Sequence, residues 1–169
     1  MLKCLNDKRG FTLIEVTVAM FLVTVGVLGV FTVIQRTISF ISISSSKLVA
    51  SYLAQEGIET IRNIRDSNWL EDVAWDNGLT ICSSGCEADY KTNTLQEETP
   101  LRPYGAGVYL NIDSDGFYSY SSGTITSLKR KIIIISNGPD ILKISVEVFW
   151  EERGRTHSVT AQENLYNWY

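Results

Sequence analysis

The chain has 169 residues and a formal charge of −4, from 15 basic and 19 acidic side chains. This length suits one domain of ordinary size and is too short for two large ones. The acidic balance disfavours broad nucleic-acid binding, which needs a basic surface, so nucleic acid is not indicated as a partner.

The first predicted element is an apolar helix near the N-terminus. Lys3, Lys8 and Arg9 precede residues 11–34, which are apolar apart from threonines, glycines and the carboxylate of Glu15. A helix of these 24 residues is about 36 Å long, and the hydrocarbon core of a bilayer is about 30 Å thick. The segment can therefore span a membrane, and the positive-inside rule leaves its N-terminus in the cytoplasm.

Glu15 needs an explanation, because a carboxylate in a membrane helix costs roughly 2 to 3 kcal/mol on insertion scales. Either it reaches the headgroups as part of an ordinary signal anchor, or it pairs with a positive charge during assembly. A secretory signal peptide ends in a small-residue cleavage site after its apolar region, and residues 35–41 contain none. The apolar helix is therefore predicted to stay in the mature protein.

Residues 8–15, KRGFTLIE, followed by the apolar segment, resemble the class III signal of type IV pilins and type II secretion pseudopilins. The resemblance implies a leader peptide at residues 1–10, prepilin peptidase cleavage between Gly10 and Phe11, and N-methylation of Phe11. It also implies that Glu15 forms an assembly salt bridge with the N-terminal amine of a neighbouring subunit. An unpaired carboxylate and an unpaired ammonium each cost free energy in lipid, so the pair attracts the two subunits. Because the pair forms at one position only, it also fixes the axial register between them.

The same resemblance implies partners and a location. The expected partners are other pilin or pseudopilin subunits, the prepilin peptidase/N-methyltransferase, the inner-membrane assembly platform and, before assembly, membrane lipid. The mature chain is expected in the cytoplasmic membrane as a single-pass protein with an extracytoplasmic head, and then in a pilus or pseudopilus. Removing residues 1–10, with three basic and one acidic side chain, lowers the formal charge from −4 to −6.

The helix is predicted to continue as an amphipathic helix over residues 35–66. Apolar side chains recur there at three- and four-residue steps and are expected to face a globular head: Leu48, Tyr52, Ile58, Ile61 and Ile64. Charged residues occupy other faces. Gly57 interrupts the pattern and indicates a point where a strand crosses closely.

Residues 67–169 are predicted to form the head, with a loop-rich connection up to residue 103. Strands are predicted at four alternating or isoleucine-rich segments, residues 108–112, 129–136, 142–150 and 155–166. Turn residues between the last three favour antiparallel pairing. The predicted fold class is α+β and pilin-like: a long N-terminal helix, transmembrane and then amphipathic, packed against a small antiparallel sheet.

Cys82 and Cys86 are the cysteines of the mature chain, because Cys4 lies in the leader. In an oxidising compartment they are predicted to form a disulfide worth about 2 kcal/mol by chain entropy. Half of a metal site is the alternative, and with His157 as the single histidine a zinc set lacks ligands.

Three further sequence patterns resemble parts of functional sites. Asp113 and Asp115 in DSDG make a weak calcium candidate, but the loop lacks the later carboxylates of a calcium site, so a tight turn is favoured and no cofactor is expected.

The basic run at residues 129–131 is expected to be solvated at a strand edge rather than a docking site. His157 has no nucleophile motif around it, so no enzymatic activity is predicted.

The C-terminal residues indicate which type of filament subunit the chain resembles. Residues 146–154 and 156–159, with Asn167 and Trp168, resemble the heads of V-type minor pilins and I-type minor pseudopilins. This resemblance implies a minor, initiating or tip-proximal pilin. A major pilin, a minor pseudopilin of a type II secretion system and a signal-anchored extracytoplasmic binding domain remain alternatives.

Overall fold

The computed structural model describes residues 10–92, 101–105 and 107–168. Nine of the ten leader residues, with Cys4, lie outside the described residues. The chain divides into two compact units, Met1–Ile43 and Ser44–Tyr169. Helix α1 (Leu13–Leu70) contributes residues to both units, and each unit is described separately below.

The first unit is, in its described part, almost entirely helix. Its apolar side chains are exposed, and its most apolar stretch has a mean hydropathy of 2.4, long and apolar enough to cross a membrane. The hydroxyls of Thr24, Thr32 and Thr37 donate to the carbonyl one turn earlier, at 2.7, 2.9 and 3.0 Å. These bonds satisfy the threonine hydroxyls within the helix, as an apolar environment requires.

In the second unit, one face of α1 is buried against the sheet. Ile58, Ile61 and Ile64 lie on this face, which confirms their predicted role. Leu48 and Tyr52 do not, since they are 58 % and 65 % exposed, and their predicted packing is wrong. The buried stripe instead passes through small residues that let the sheet approach the helix axis closely: Ala50, Ala54 and Gly57.

The sheet approaches the helix closely at Gly57, as predicted. A Cβ atom at this position would lie 2.9 Å from Cγ1 of Val146 and 3.3 Å from Cδ of Arg130. A distance of 2.9 Å from a Cβ atom to a non-bonded heavy atom essentially never occurs in proteins. Glycine is therefore required by packing here, and this outweighs its helix penalty of about 1 kcal/mol relative to alanine.

The helix ends at Leu70, four residues beyond the predicted boundary at residue 66. Asn68 is fully buried, and its Nδ2 donates to the carbonyls of Trp75 and Asn77 at 3.1 and 3.0 Å. Asp72 then adopts φ 57°, the left-handed conformation that stops helices. The last helical turn is thus hydrogen-bonded to the loop that follows it. Hydrophobic periodicity alone does not predict this contact.

Within the described residues the sheet has seven antiparallel strands. They are β1 (Cys86–Glu87), β2 (Arg102–Pro103), β3 (Tyr109–Ile112), β4 (Tyr118–Ser119), β5 (Thr124–Ser136), β6 (Ile141–Glu152) and β7 (Arg155–Tyr166). β5 is central, with β6 on one side and β1 and β3 sharing the other, and β7 lies outside β6. The predicted α+β fold class is confirmed.

The four longer strands lie at the four predicted segments, although β5 begins at Thr124, five residues before the predicted start at residue 129. β1, β2 and β4 were not predicted, because two residues are too few to show alternation. The four predicted strands pair antiparallel in chain order, β3 with β5, β5 with β6 and β6 with β7, as a meander does.

The predicted loop-rich connection contributes to the core. Trp75, Leu79 and Ala88 are buried, and a short 3-10 helix covers Thr80–Ser83. Cys82 and Cys86 are fully buried and joined by a disulfide with a Cα–Cα distance of 5.0 Å. The bond ties the 3-10 helix to β1, with a chain-entropy contribution of about 2 kcal/mol.

Arg130 is fully buried, so the expectation that the basic run at residues 129–131 is a solvated edge is wrong for this residue. Its Nη1 donates to the Leu53 carbonyl and to Oε1 of Glu56, both at 3.0 Å, and its Nη2 donates to the Ala88 carbonyl. Because β5 is central and side chains alternate, Arg130 faces the helix. It joins α1, β5 and the segment after β1.

Lys129 and Lys131 point to the opposite face of the sheet. The Nζ atom of Lys129 lies 4.3 Å from the ring centroid of Tyr109, and that of Lys131 lies 5.1 Å from the ring centroid of Tyr104. Both are cation–π distances. The basic run is thus divided by strand alternation into one buried cation and two aromatic-packed ones.

Candidate assembly site

The predicted cleavage site lies just before α1. Gly10, Phe11 and Thr12 are exposed and non-helical, and Phe11 is 82 % exposed. Apart from its chain neighbours, no described residue has a heavy atom within 4 Å of the position that a Cβ on Gly10 would occupy. The predicted cleavage pair Gly10 and Phe11 is therefore exposed and outside regular secondary structure.

Glu15 lies in the first turn of α1. Its N–H donates to the Thr12 carbonyl at 3.1 Å and to the Thr12 hydroxyl at 3.3 Å, so Thr12 caps the helix. A carboxylate in this turn also interacts favourably with the helix dipole. The cap fixes the first turn of α1 and therefore the position of the Glu15 side chain on the helix.

The surroundings of Glu15 are apolar. Phe11, Val16, Ala19 and Val23 line the same helix surface as Glu15, and all are exposed. The next basic residue along the chain is Arg36, 21 positions further, or about 32 Å along a helix. Among the described residues, none of the ion pairs involves Glu15.

The second predicted site, at Asp113 and Asp115, is a tight turn. Oδ1 of Asp113 accepts the N–H groups of Phe117 and Asp115 at 2.9 and 3.0 Å, and its Oδ2 accepts the Tyr90 hydroxyl at 2.9 Å. These donors, led by the Phe117 N–H, hold the pKa of Asp113 below its ordinary value. Gly116 supplies the left-handed residue with φ 87°.

The Asp113 carboxylate is thus hydrogen-bonded within the turn, and Asp115 is exposed. In residues 10–92, 101–105 and 107–168 no group of three or more His, Cys, Asp or Glu side chains is placed to hold a metal ion. The hydrogen bonds of Asp113 are those of the predicted tight turn.

His157 packs rather than forming a catalytic arrangement. Its ring stacks on Trp150 with centroids 5.5 Å apart and an interplanar angle of 22°. Val159 and Ala161, on the same face of β7, pack against the core. The neighbours of His157 in the structure are those of a packed histidine.

One structural residue escaped sequence reasoning. Leu128, Ile132 and Ile134 are buried and lie two or four residues from Arg130 along β5. Strand alternation therefore places Arg130 on the same buried face. The adjacent lysines obscured that signal by making a block of charge. The buried partners of Arg130 lie more than 40 residues away in sequence, where no local pattern identifies them.

Comparison with known proteins gives one family match. The model described as the prokaryotic N-terminal methylation motif matches residues 5–31. The match contains the predicted cleavage pair Gly10 and Phe11, the carboxylate of Glu15 and all but the last three residues of the apolar segment at residues 11–34. The searches of curated proteins and of solved structures gave no match.

Proposed function

We propose that this chain is a minor pilin processed after Gly10; its match to the prokaryotic N-terminal methylation motif supports a type IV pilin-like or pseudopilin subunit. One observation carries the proposal: an exposed Gly10–Phe11 pair precedes an exposed apolar helix with a single carboxylate in its first turn. Such a helix needs lipid before assembly and other subunits afterwards.

The proposed assembly contact joins Glu15 to the amine of Phe11 in a neighbouring subunit. Cleavage creates this amine at the end of an apolar helix, where a lone ammonium is as costly as a lone carboxylate. Pairing between subunits lets both helices stay intact and fixes their axial stagger.

The minor, initiating or tip-proximal role rests on the resemblance of residues 146–159 to minor pilin heads. In the structure these residues form most of the β6–β7 hairpin. The second candidate is a minor pseudopilin of a type II secretion system, because the same segment resembles I-type heads. The head lies outside the cytoplasmic membrane in both cases, with the assembly platform and the prepilin peptidase as partners.

Processing provides the first test. In cells with an active prepilin peptidase, the membrane form of the chain is expected to start at Phe11 and to carry a methylated amine. Mass spectrometry of the purified chain measures both features. Cells without the peptidase serve as the control and should yield a chain that retains residues 1–10. A chain that keeps its leader in the presence of active peptidase would refute the proposal and favour a signal-anchored domain.

Abundance tests the minor role. In sheared surface filaments this chain is expected at a small fraction of the bulk subunit, and its deletion is expected to reduce the number of filaments. Quantitative mass spectrometry and electron microscopy measure the two effects. If the chain makes up the bulk of the fibre, it is a major pilin. If deletion blocks protein export and leaves pili unchanged, the pseudopilin alternative is correct.

A further inference from the structure

A small cavity lies at the C-terminal end of α1, away from the assembly site. Its volume is about 230 Å³, and five described residues line it: Trp69, Asp72, Val73, Trp75 and Asn167. They come from the last turn of α1, the loop that follows it and the segment after β7. Pockets for drug-sized ligands measure about 300 to 1,000 Å³, so this cavity suits a single small ring.

The backbone around the cavity is held in place by hydrogen bonds. The Val73 N–H donates to the carbonyl of Asn68 at 3.0 Å, and the Asn68 side chain donates to the Trp75 carbonyl. The N–H of Asn167 donates to the carbonyl of Asp140 at 2.9 Å. The lining residues are therefore ordered before a ligand arrives, which lowers the entropic cost of binding.

The polar groups of the cavity include both donors and acceptors. Asp72 is exposed, and none of the ion pairs in the described part of the chain includes its carboxylate. Asn167 contributes a carboxamide, which has a donor end and an acceptor end. Trp75 is only 9 % exposed, and no described residue accepts a hydrogen bond from its indole N–H. Because a mostly buried indole N–H usually has a partner, this donor suits a ligand hydroxyl.

Asp72 occupies a position at which stability alone favours another residue. It has φ 57° directly after the helix end, where glycine is usual. A carboxylate also interacts unfavourably with the negative end of a helix, and the last turn of α1 has no basic residue to offset it. A residue that breaks local rules in this way is typical of a functional position.

Aromatic surface adjoins these polar groups. The ring of Trp69 packs against Arg65, whose guanidinium carbon lies 4.6 Å from the ring centroid, and against Trp168, with ring centroids 4.7 Å apart. The charge of Arg65 is offset by Asp66 at 2.7 Å. Trp168 is 69 % exposed and extends the aromatic surface beyond the cavity. Aromatic surface beside hydrogen-bonding groups matches a sugar, which has an apolar C–H face and a rim of hydroxyls.

We propose that this cavity binds a neutral saccharide, with Asp72 and Asn167 bonding to hydroxyls of one sugar ring and Trp168 contacting the next. Charge separates this ligand from anionic ones. None of the five described lining residues is basic, and the Asp72 carboxylate at the negative end of α1 repels phosphates and uronates.

This inference goes beyond the proposed function and does not depend on leader cleavage. Saccharide binding concerns the second unit and is measured on the purified chain, whereas processing concerns residues 10 and 11. Determining the N-terminus of the same sample by mass spectrometry therefore separates failure of this inference from failure of the proposed function.

A glycan array tests the binding. The full chain is purified in a sulfobetaine detergent, which has no sugar headgroup, and is applied to immobilised neutral oligosaccharides with uronate-containing oligosaccharides beside them. We expect binding to neutral members of the array and none to the uronates. Absence of binding across the array, or a preference for the uronates, would overturn the proposal.

Asp72→Gly then separates the cavity from the fold. Glycine adopts a positive φ more easily than aspartate and removes a carboxylate from the helix end, so the variant should be at least as stable in thermal unfolding. Its affinity for the saccharide identified on the array, measured by titration of tryptophan fluorescence, should fall about tenfold or more, because hydrogen bonds to a charged group are lost.

Glu71→Gln is the matched control for Asp72→Gly. It removes the neighbouring exposed carboxylate, which is not among the lining residues, and should keep the affinity within about twofold. Unchanged affinity in Asp72→Gly, or equal loss in the two variants, would show that the cavity is not the binding site and overturn the proposal.

Discussion

Arg130→Ala is expected to lower the free energy of unfolding of the second unit by about 3 kcal/mol or more. The substitution removes a fully buried side chain that bonds to Leu53, Glu56 and the Ala88 carbonyl. It leaves a cavity, and it leaves a carbonyl that has lost its donor. Glu56 is half-exposed and can turn to water, so most of the loss arises at Ala88 and at the cavity.

Urea unfolding of the mature chain in detergent measures this effect. All four tryptophans lie in the second unit, so their fluorescence reports on it. Lys129→Ala is the matched control, because it removes the adjacent cation from the other face of β5 and should change stability by less than about 1 kcal/mol. Similar losses for the two variants would show that Arg130 does not hold the helix, the sheet and the β1 segment together.

The long elements of this fold were predictable because each presents one apolar face. β6 and β7 alternate over 12 residues each, and the isoleucines of α1 recur at helical spacing. The face of α1 was only partly predicted, since periodicity gives weight to large apolar side chains such as Leu48 and Tyr52. Packing against the sheet selected small residues instead, because the sheet comes within contact distance of Gly57.

The candidate assembly site was readable because its residues are adjacent in sequence. Gly10, Phe11 and Glu15 form one local motif, and the helix start at Leu13 gives them their geometry. Arg130 depends on contacts with Leu53 and Ala88 that are distant in sequence, so its burial followed from the topology of the sheet. The counter-charge of Glu15 is proposed to lie on another subunit, which a single chain does not contain.

Glu15→Leu is expected to leave the chain in the membrane and to reduce its incorporation into filaments by 100-fold or more. Leucine removes the insertion cost of the carboxylate, roughly 2 to 3 kcal/mol, so membrane retention should be undiminished. Assembly would then bury the Phe11 amine of a neighbour without a counter-charge. Breaking a buried ion pair costs about 3 to 5 kcal/mol, and about 1.4 kcal/mol corresponds to tenfold.

The ratio of this chain in sheared filaments to chain in membranes measures the effect, with the N-terminus of the membrane fraction checked by mass spectrometry. Glu59→Leu is the control, since Glu59 is an exposed carboxylate of the same helix in the second unit. Normal incorporation of Glu15→Leu would remove the ion pair from the assembly mechanism. Loss in both variants would indicate a general defect of the helix. Loss confined to Glu15→Leu, with Phe11 still at the N-terminus, would assign the carboxylate to assembly.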